Sequence, residues 1–247
     1  MFGYDDSMEI KGKTVLVTGG AKRVGREIAL MFAKHGTHIF LHYHQSQIDA
    51  EKTALDIKAF GVRCTLFKAN LGQTVEIQKM LKELPWTPDI LINSASLFYR
   101  TPIEEITEMD WDQFFNVNLK APFLLSQSIG SKMSRENGGK IVNIADWSGF
   151  RPYKDYAPYC ASKGGLITLT KSLARDLAPK VLANAIAPGP ILPPHEFSEE
   201  EKEIVAKTTA VGRWGSPADI ANAAVFLAEN DFINGTVLVV DGGRSIV

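Results

Sequence analysis

The stretch Lys13-Thr14-Val15-Leu16-Val17-Thr18-Gly19-Gly20-Ala21-Lys22-Arg23-Val24-Gly25 decides the fold. Its first six residues read as a buried strand and its glycines as a tight turn. Residues 24–35 then read as a helix with Val24, Ile28, Met31 and Phe32 along one stripe. Outward from this unit the alternation continues almost to the end of the chain. Strands are expected at 37–43, 62–68, 89–93, 140–145, 181–187 and 236–240, and helices at 48–60 (Ala50, Ala54 and Ile57 inward), 74–84, 109–133, 156–177 and 217–227. Strands this apolar need both faces covered, which parallel strands with crossover helices provide. The expectation is one α/β domain over residues 1–247, a doubly wound sheet of about seven parallel strands with helices on both faces.

One segment, 188–207, breaks the rhythm. It carries Pro188, Gly189, Pro190, Pro193 and Pro194, then Ser198-Glu199-Glu200-Glu201-Lys202, a capped acidic helix start. It follows a strand's carboxyl end, where open α/β sheets bind ligands, so it reads as a substrate lid, with an inert surface excursion as the alternative.

Composition narrows the class. The 247 residues hold 27 Lys plus Arg and 28 Asp plus Glu, a net charge of 27 − 28 = −1, which argues against nucleic-acid or polybasic membrane partners. Cys64 and Cys160 cannot make a disulfide framework and fit a reducing compartment. Residues 1–13 mix Asp5, Asp6, Glu9 and Lys11 with isolated apolar residues, unlike a signal peptide, and no apolar run reaches membrane-spanning length. A soluble, cytosolic chain is expected.

The glycine turn lets backbone approach a pyrophosphate, which meets the free N–H groups and dipole of the following helix. Arg23 stands where a third glycine is common. Its guanidinium, beside Lys22, favours an extra phosphate near the adenosine ribose; one such charge pair at ~4 Å and an effective dielectric of ~20 is worth up to ~4 kcal/mol before desolvation. The second strand ends His42-Tyr43-His44-Gln45-Ser46, without the Asp or Glu that would hold a free 2′-hydroxyl, so NADPH is expected rather than NADH. His42 and His44 lack a third ligand type and read as surface or phosphate contacts, and no metal is expected.

Tyr159-Cys160-Ala161-Ser162-Lys163 stacks Tyr159 and Lys163 on one helical face. A free phenol titrates near 10, so acid/base work near pH 7 asks for about 4 kcal/mol of phenolate stabilisation, which a neighbouring ammonium can supply in large part. Pro122 lies four residues after Asn118 and offers no N–H to the Asn118 carbonyl. That carbonyl can hold a water linking Lys163 to solvent, or Pro122 simply kinks a long helix.

Taken in order, the glycine turn, Asn118, Tyr-x-x-x-Lys, Pro188-Gly189 and Asp241-Gly242-Gly243 resemble the short-chain dehydrogenase/reductase family over nearly the whole chain. The resemblance implies a Rossmann-type sheet, hydride transfer from nicotinamide, Tyr159 as proton donor, Lys163 on the nicotinamide ribose, and Asn118 as a fourth catalytic residue. The family usually carries a serine thirteen residues before the tyrosine; here 159 − 13 = 146 is Asp146, with Ser148 nearby but out of register. An ionised aspartate cannot donate to a ketone oxygen and opposes an oxyanion, but it can accept from a ring N–H or amine.

Asp146, Arg23 and the His42-Tyr43-His44 strand end together resemble pteridine and dihydropterin reductases, as does Asn93-Ser94-Ala95-Ser96-Leu97-Phe98-Tyr99, whose Phe98 matches the ring that sandwiches the pterin. The chain departs from that pattern at Gln45 (an arginine position), Ser94 (in place of Asn) and Asn70 (in place of Asp). The cofactor contacts implied are Gly19, Lys22, Arg23, Val24, Gly25, His44, Gln45, Ser46, Asn70, Leu71, Asn93, Ser94, Ala95, Tyr159, Lys163, Pro188, Gly189 and Ile191. The implied substrate contacts are Phe98, Asp146, Trp147, Tyr159 and Pro190.

The function expected is NADPH-dependent reduction of a pterin-like C=N bond. The rivals are a carbonyl reductase of 3-oxoacyl thioesters or other ketones and a non-catalytic NADP(H)-sensing module. Trp147, Tyr153, Tyr156 and Trp214 line the site or pack around it; Arg151 and Lys154 meet an anionic substrate tail or only solvent. The resemblance implies a homotetramer. The apolar Ile246-Val247 end suits an interface or a fold back onto its own chain.

Overall fold

The computed structural model describes residues 8–193 and 197–247; Asp5, Asp6, Pro194 and Glu196 lie outside the described residues. The decisive stretch forms β1 (Thr14–Val17), a turn, and α1 (Arg23–Lys34). Beyond it follow β2 (His38–Tyr43), α2 (Gln47–Lys58), β3 (Cys64–Lys68), α3 (Thr74–Glu83) and β4 (Ile90–Asn93). The second half holds α4 (Glu108–Phe115), α5 (Ala121–Arg135), β5 (Gly139–Ile144), α6 (Ala157–Asp176), β6 (Val181–Pro188), α7 (Glu199–Lys207), α8 (Pro217–Glu229) and β7 (Val237–Val240). The sheet is parallel throughout, in the order β3-β2-β1-β4-β5-β6-β7. The order reverses between β1 and β4, so a crevice opens at their carboxyl ends.

Strand periodicity divides the core. Val15, Val17, Ile39 and Leu41 pack on Ile28 and Phe32 of α1, Ala50 and Ile57 of α2, and Ile220 and Ala224 of α8. Leu16, Phe40 and Leu91 face the other way, against Ile77 and Met80 of α3 and Leu125, Ile129 and Met133 of α5. Successive strand residues point to opposite faces, which is why these strands read as unbroken apolar runs.

The helix expected at 109–133 is a rod with a defect. Between α4 and α5, Asn116–Lys120 forms a π turn in which the Ala121 N–H reaches back to the Asn116 carbonyl. Pro122, at the start of α5, lacks the N–H an ordinary turn would use, and its ring crowds the preceding turn. The capped start expected at Ser198 is present, with Ser198 Oγ accepting from the Glu201 N–H at the head of α7. No helix among the described residues is long and apolar enough to cross a membrane.

Candidate active site

A cleft of about 1640 Å³ follows the carboxyl ends of the strands. At one end lies the glycine turn. Gly19 has φ +65, and a Cβ there would sit 2.8 Å from Ala95 Cα; at Gly25 it would sit 2.3 Å from the Gly19 carbonyl oxygen. Only glycine lets the turn, α1 and the strand after it close so tightly. Thr18 Oγ1 secures the arrangement by accepting the N–H groups of Ser94 (2.9 Å) and Ala95 (3.1 Å). Helix α1 has no capping side chain and no acid in its first turn.

An uncapped helix end on a wide cleft, beside Lys22 and Arg23, fits a dinucleotide's phosphates. Lys22 pairs with Asp49 at 3.3 Å. Arg23 has no ion pair among the described residues, which leaves its charge for a phosphate. A recess of about 220 Å³ beside the turn is lined by Tyr43, His44, Gln45 and Ser46.

His42 departs from the sequence expectation of a surface or phosphate contact. It is 2% exposed and braces the turn. The Gly19 N–H donates to its Nδ1 (3.1 Å), so Nε2 must carry the hydrogen that reaches the Ala69 carbonyl at 3.0 Å. Burial, with a smaller push from His44, lowers its pKa to about 4 against the opposing pull of the Ala69 bond. The alternation of His42 with His44 concealed this, because a period of two cannot say which neighbour lies over the strand.

The other end of the cleft holds the chemistry. β5 delivers Asp146 and α6 delivers Tyr159 and Lys163. The Tyr159 hydroxyl donates to Asp146 Oδ2 at 2.9 Å, and the Ser148 N–H fixes Asp146 Oδ1 at 2.7 Å. Lys163 Nζ donates to the Ile144 carbonyl at 2.8 Å and lies 5.7 Å from the centre of the Tyr159 ring.

The net balance on Tyr159 runs opposite to the lowering expected from a neighbouring Lys163. Burial first, then the Asp146 charge and hydrogen bond, push Tyr159 well above the usual phenol value. Burial lowers Lys163 to about 8, with Asp146 pulling the other way. Asn118 lies behind the cleft wall, 1% exposed. Its Oδ1 takes the Leu97 N–H (2.8 Å), and its Nδ2 donates to the Leu97 carbonyl (3.1 Å) and Ser162 Oγ (3.2 Å).

An aromatic wall faces this group. Phe98 stacks on Tyr156 at 4.8 Å and meets Tyr159 edge-on at 4.8 Å. The loop bearing Phe98 is held because the Thr101 N–H donates to the Asp155 carbonyl (2.7 Å) and Arg100 pairs with Asp155 (2.7 Å). Pro188 and Gly189 reach the cleft because β6 ends beside β7, where a Cβ on Gly189 would sit 2.5 Å from Asp241 Cβ.

Most expected residues line one cleft: Gly19, Lys22, Arg23, Val24, Gly25, His44, Gln45, Asn70, Leu71, Ser94, Ala95, Phe98, Asp146, Tyr159, Lys163, Pro188, Gly189, Pro190 and Ile191. Besides Asn118, behind the wall, three stand elsewhere. Ser46 borders only the small recess, Asn93 is 2% exposed and bonded to Asn143 and Ser126, and Trp147 is 5% exposed under the wall. Ser148 is fully buried and does not line the cleft, so it is in no position to replace the missing serine. Tyr153, Tyr156, Trp214 and Lys154 do line it. Sequence reasoning missed Arg244; its one signal was its place directly after Asp241-Gly242-Gly243.

A family profile described as "Enoyl-(Acyl carrier protein) reductase" matches residues 19–245. 3-oxoacyl-(acyl-carrier-protein) reductase FabG of Staphylococcus epidermidis is 34% identical over 94% of this chain and 98% of its own length. 2-dehydro-3-deoxy-D-gluconate 5-dehydrogenase of Bacillus subtilis is 36% identical over 98% of each. Among solved structures, a blue fluorescent protein from a metagenomic library, in complex with NADPH, superposes with a TM-score of 0.89 at 29% identity over 96% of this chain and 100% of its own. The profile and the relatives cover nearly the whole chain and the structural neighbour shares its fold: this chain is an oxidoreductase of the short-chain dehydrogenase/reductase family.

Proposed function

We propose that this chain is an NADPH-dependent reductase whose substrate is a planar, pterin-like heterocycle reduced at a C=N bond. The observation that carries the reading is the 2.9 Å bond from the Tyr159 hydroxyl to Asp146. A substrate N–H or amine can donate to Asp146 in place of the phenol, freeing the Tyr159 proton for the ring nitrogen. A ketone oxygen only accepts; it must compete with a carboxylate for one phenol proton, beside a charge that opposes its own. The stacked face of Phe98 and Tyr156 suits a flat ring.

Bound NADPH would supply the hydride, with Arg23 and the amino end of α1 holding its phosphates. Tyr159, kept protonated by burial and Asp146, serves as acid rather than base, which favours the reductive direction. Lys163 lies where it can hold the nicotinamide ribose and the proton behind Tyr159, and Asn118 positions the loop at Leu97.

The second reading is carbonyl reduction, and whole-chain similarity favours it. The two curated relatives above are named for 3-oxoacyl and keto-sugar-acid substrates. The test is NADPH oxidation with a dihydropterin, dihydrofolate and an acetoacetyl thioester, using wild type and Asp146→Ser. Turnover of the pterin that disappears in the variant supports the heterocycle. Preference of wild type for the thioester overturns it in favour of the ketone.

A further inference from the structure

We propose that Arg244 is the specificity residue of this cleft and anchors a carboxylate on the substrate. The inference rests on the reductase reading for its reaction, but it applies to a heterocycle or a ketone alike. Arg244 lines the cleft and is half-buried, with its guanidinium carbon over the Trp147 indole, 4.9 Å from the ring centre. No carboxylate among the described residues forms an ion pair with it, although eight other Lys or Arg side chains within the described residues have such partners at 3.9 Å or closer.

The backbone carrying Arg244 is fixed. Asp241 Oδ1 accepts the Gly243 N–H at 2.9 Å and Oδ2 accepts the Ser245 N–H at 2.7 Å. A guanidinium resting on an indole keeps its N–H edge free and in plane for a carboxylate. Leaving such a group partly desolvated and unpaired is unfavourable unless an anion completes it.

The position explains which anion. Trp147 Nε1 donates to the Tyr153 hydroxyl, and Tyr153 lies close enough to both Asp146 and Arg244 to feel each charge. The Asp146 carboxylate thus stands beside Tyr159, and the positive Arg244 lies within electrostatic reach of the same Tyr153. A substrate complementary to this pair of charges gives or shares a proton at Asp146 and Tyr159 and carries its acid group one aromatic side chain away. Exposed Lys154, also on the cleft, adds a second positive charge at the rim. The cleft's other carboxylates, Glu108 and Asp112, belong to α4 and pair with no basic group among the described residues.

The experiment compares benzoate with neutral benzamide, binding to the NADPH complex by isothermal titration, in wild type and Arg244→Met, which keeps an apolar side chain over Trp147. The acid is expected to bind wild type about 10- to 100-fold tighter than the amide, and Arg244→Met to bring the two within about twofold. Equal binding by wild type overturns the assignment, as does a preference that survives Arg244→Met. Because binding needs no turnover, an enzyme that discriminates acid from amide yet reduces neither heterocycle nor ketone would refute the function reading alone.

Discussion

Protonating His42 tests whether the cofactor turn is held by a neutral imidazole. The ring accepts from the Gly19 N–H and donates to the Ala69 carbonyl, so a second ring proton would point at an N–H that is already a donor. Its pKa is about 4 in the folded chain, against 6.5 for a free histidine, with burial as the main cause. A depressed folded value means that the unfolded chain takes up the proton first. The contribution is therefore complete above 6.5 and is lost as pH falls toward 4.

Linkage over the full interval of 6.5 − 4 = 2.5 units amounts to about 3 kcal/mol. Between about pH 7.5 and about pH 5 it amounts to about 2 kcal/mol. The assay is urea unfolding of wild type and His42→Gln at those two pH values. The variant should start less stable at the higher pH, but its loss on acidification should be smaller than that of wild type by about 2 kcal/mol. Equal losses in the two proteins would refute the neutral-strut argument. Weakening of NADPH binding should accompany the loss in wild type, since Gly19 belongs to the turn that the strut holds.

Asp146→Asn removes the influence that holds the proton on Lys163, whose value of about 8 sets the alkaline limb of a reduction that needs Lys163 and Tyr159 protonated. The limb of kcat/KM against pH should therefore move down by roughly 1 unit, and an unmoved limb would contradict the assigned charges. Gly189→Ala places a Cβ 2.5 Å from Asp241 Cβ and 2.6 Å from its Cα. Because backbone must shift, thermal denaturation should show a loss of about 1–3 kcal/mol, while an unchanged Tm would mean that β6 and β7 part at no cost.

Much of the active site was legible because local rules carry it. A tyrosine and a lysine four apart share a helix face wherever that helix is placed. A glycine turn between a strand and a helix points its N–H groups outward in any doubly wound sheet. Asp146 was found by counting thirteen residues back from Tyr159, the spacing that the family resemblance implies. Arg244 was not, because nothing near it in sequence is its partner: the Trp147 it covers arrives from β5, 97 positions earlier by 244 − 147 = 97.

The sequence by itself determined the alternation of strand and helix, the parallel sheet it requires and the residues at the cleft's two ends, because period, turn chemistry and spacing are properties of short stretches. Tertiary structure alone decided the electrostatics. Lys163 was expected to lower the Tyr159 pKa, but burial of the phenol and the Asp146 carboxylate raise it. It also decided that His42 is an internal brace, that Ser148 and Asn118 lie behind the wall, and that Arg244 faces the cleft. Charge and desolvation depend on distance in space and on what excludes water, and neither is written in the order of residues along the chain.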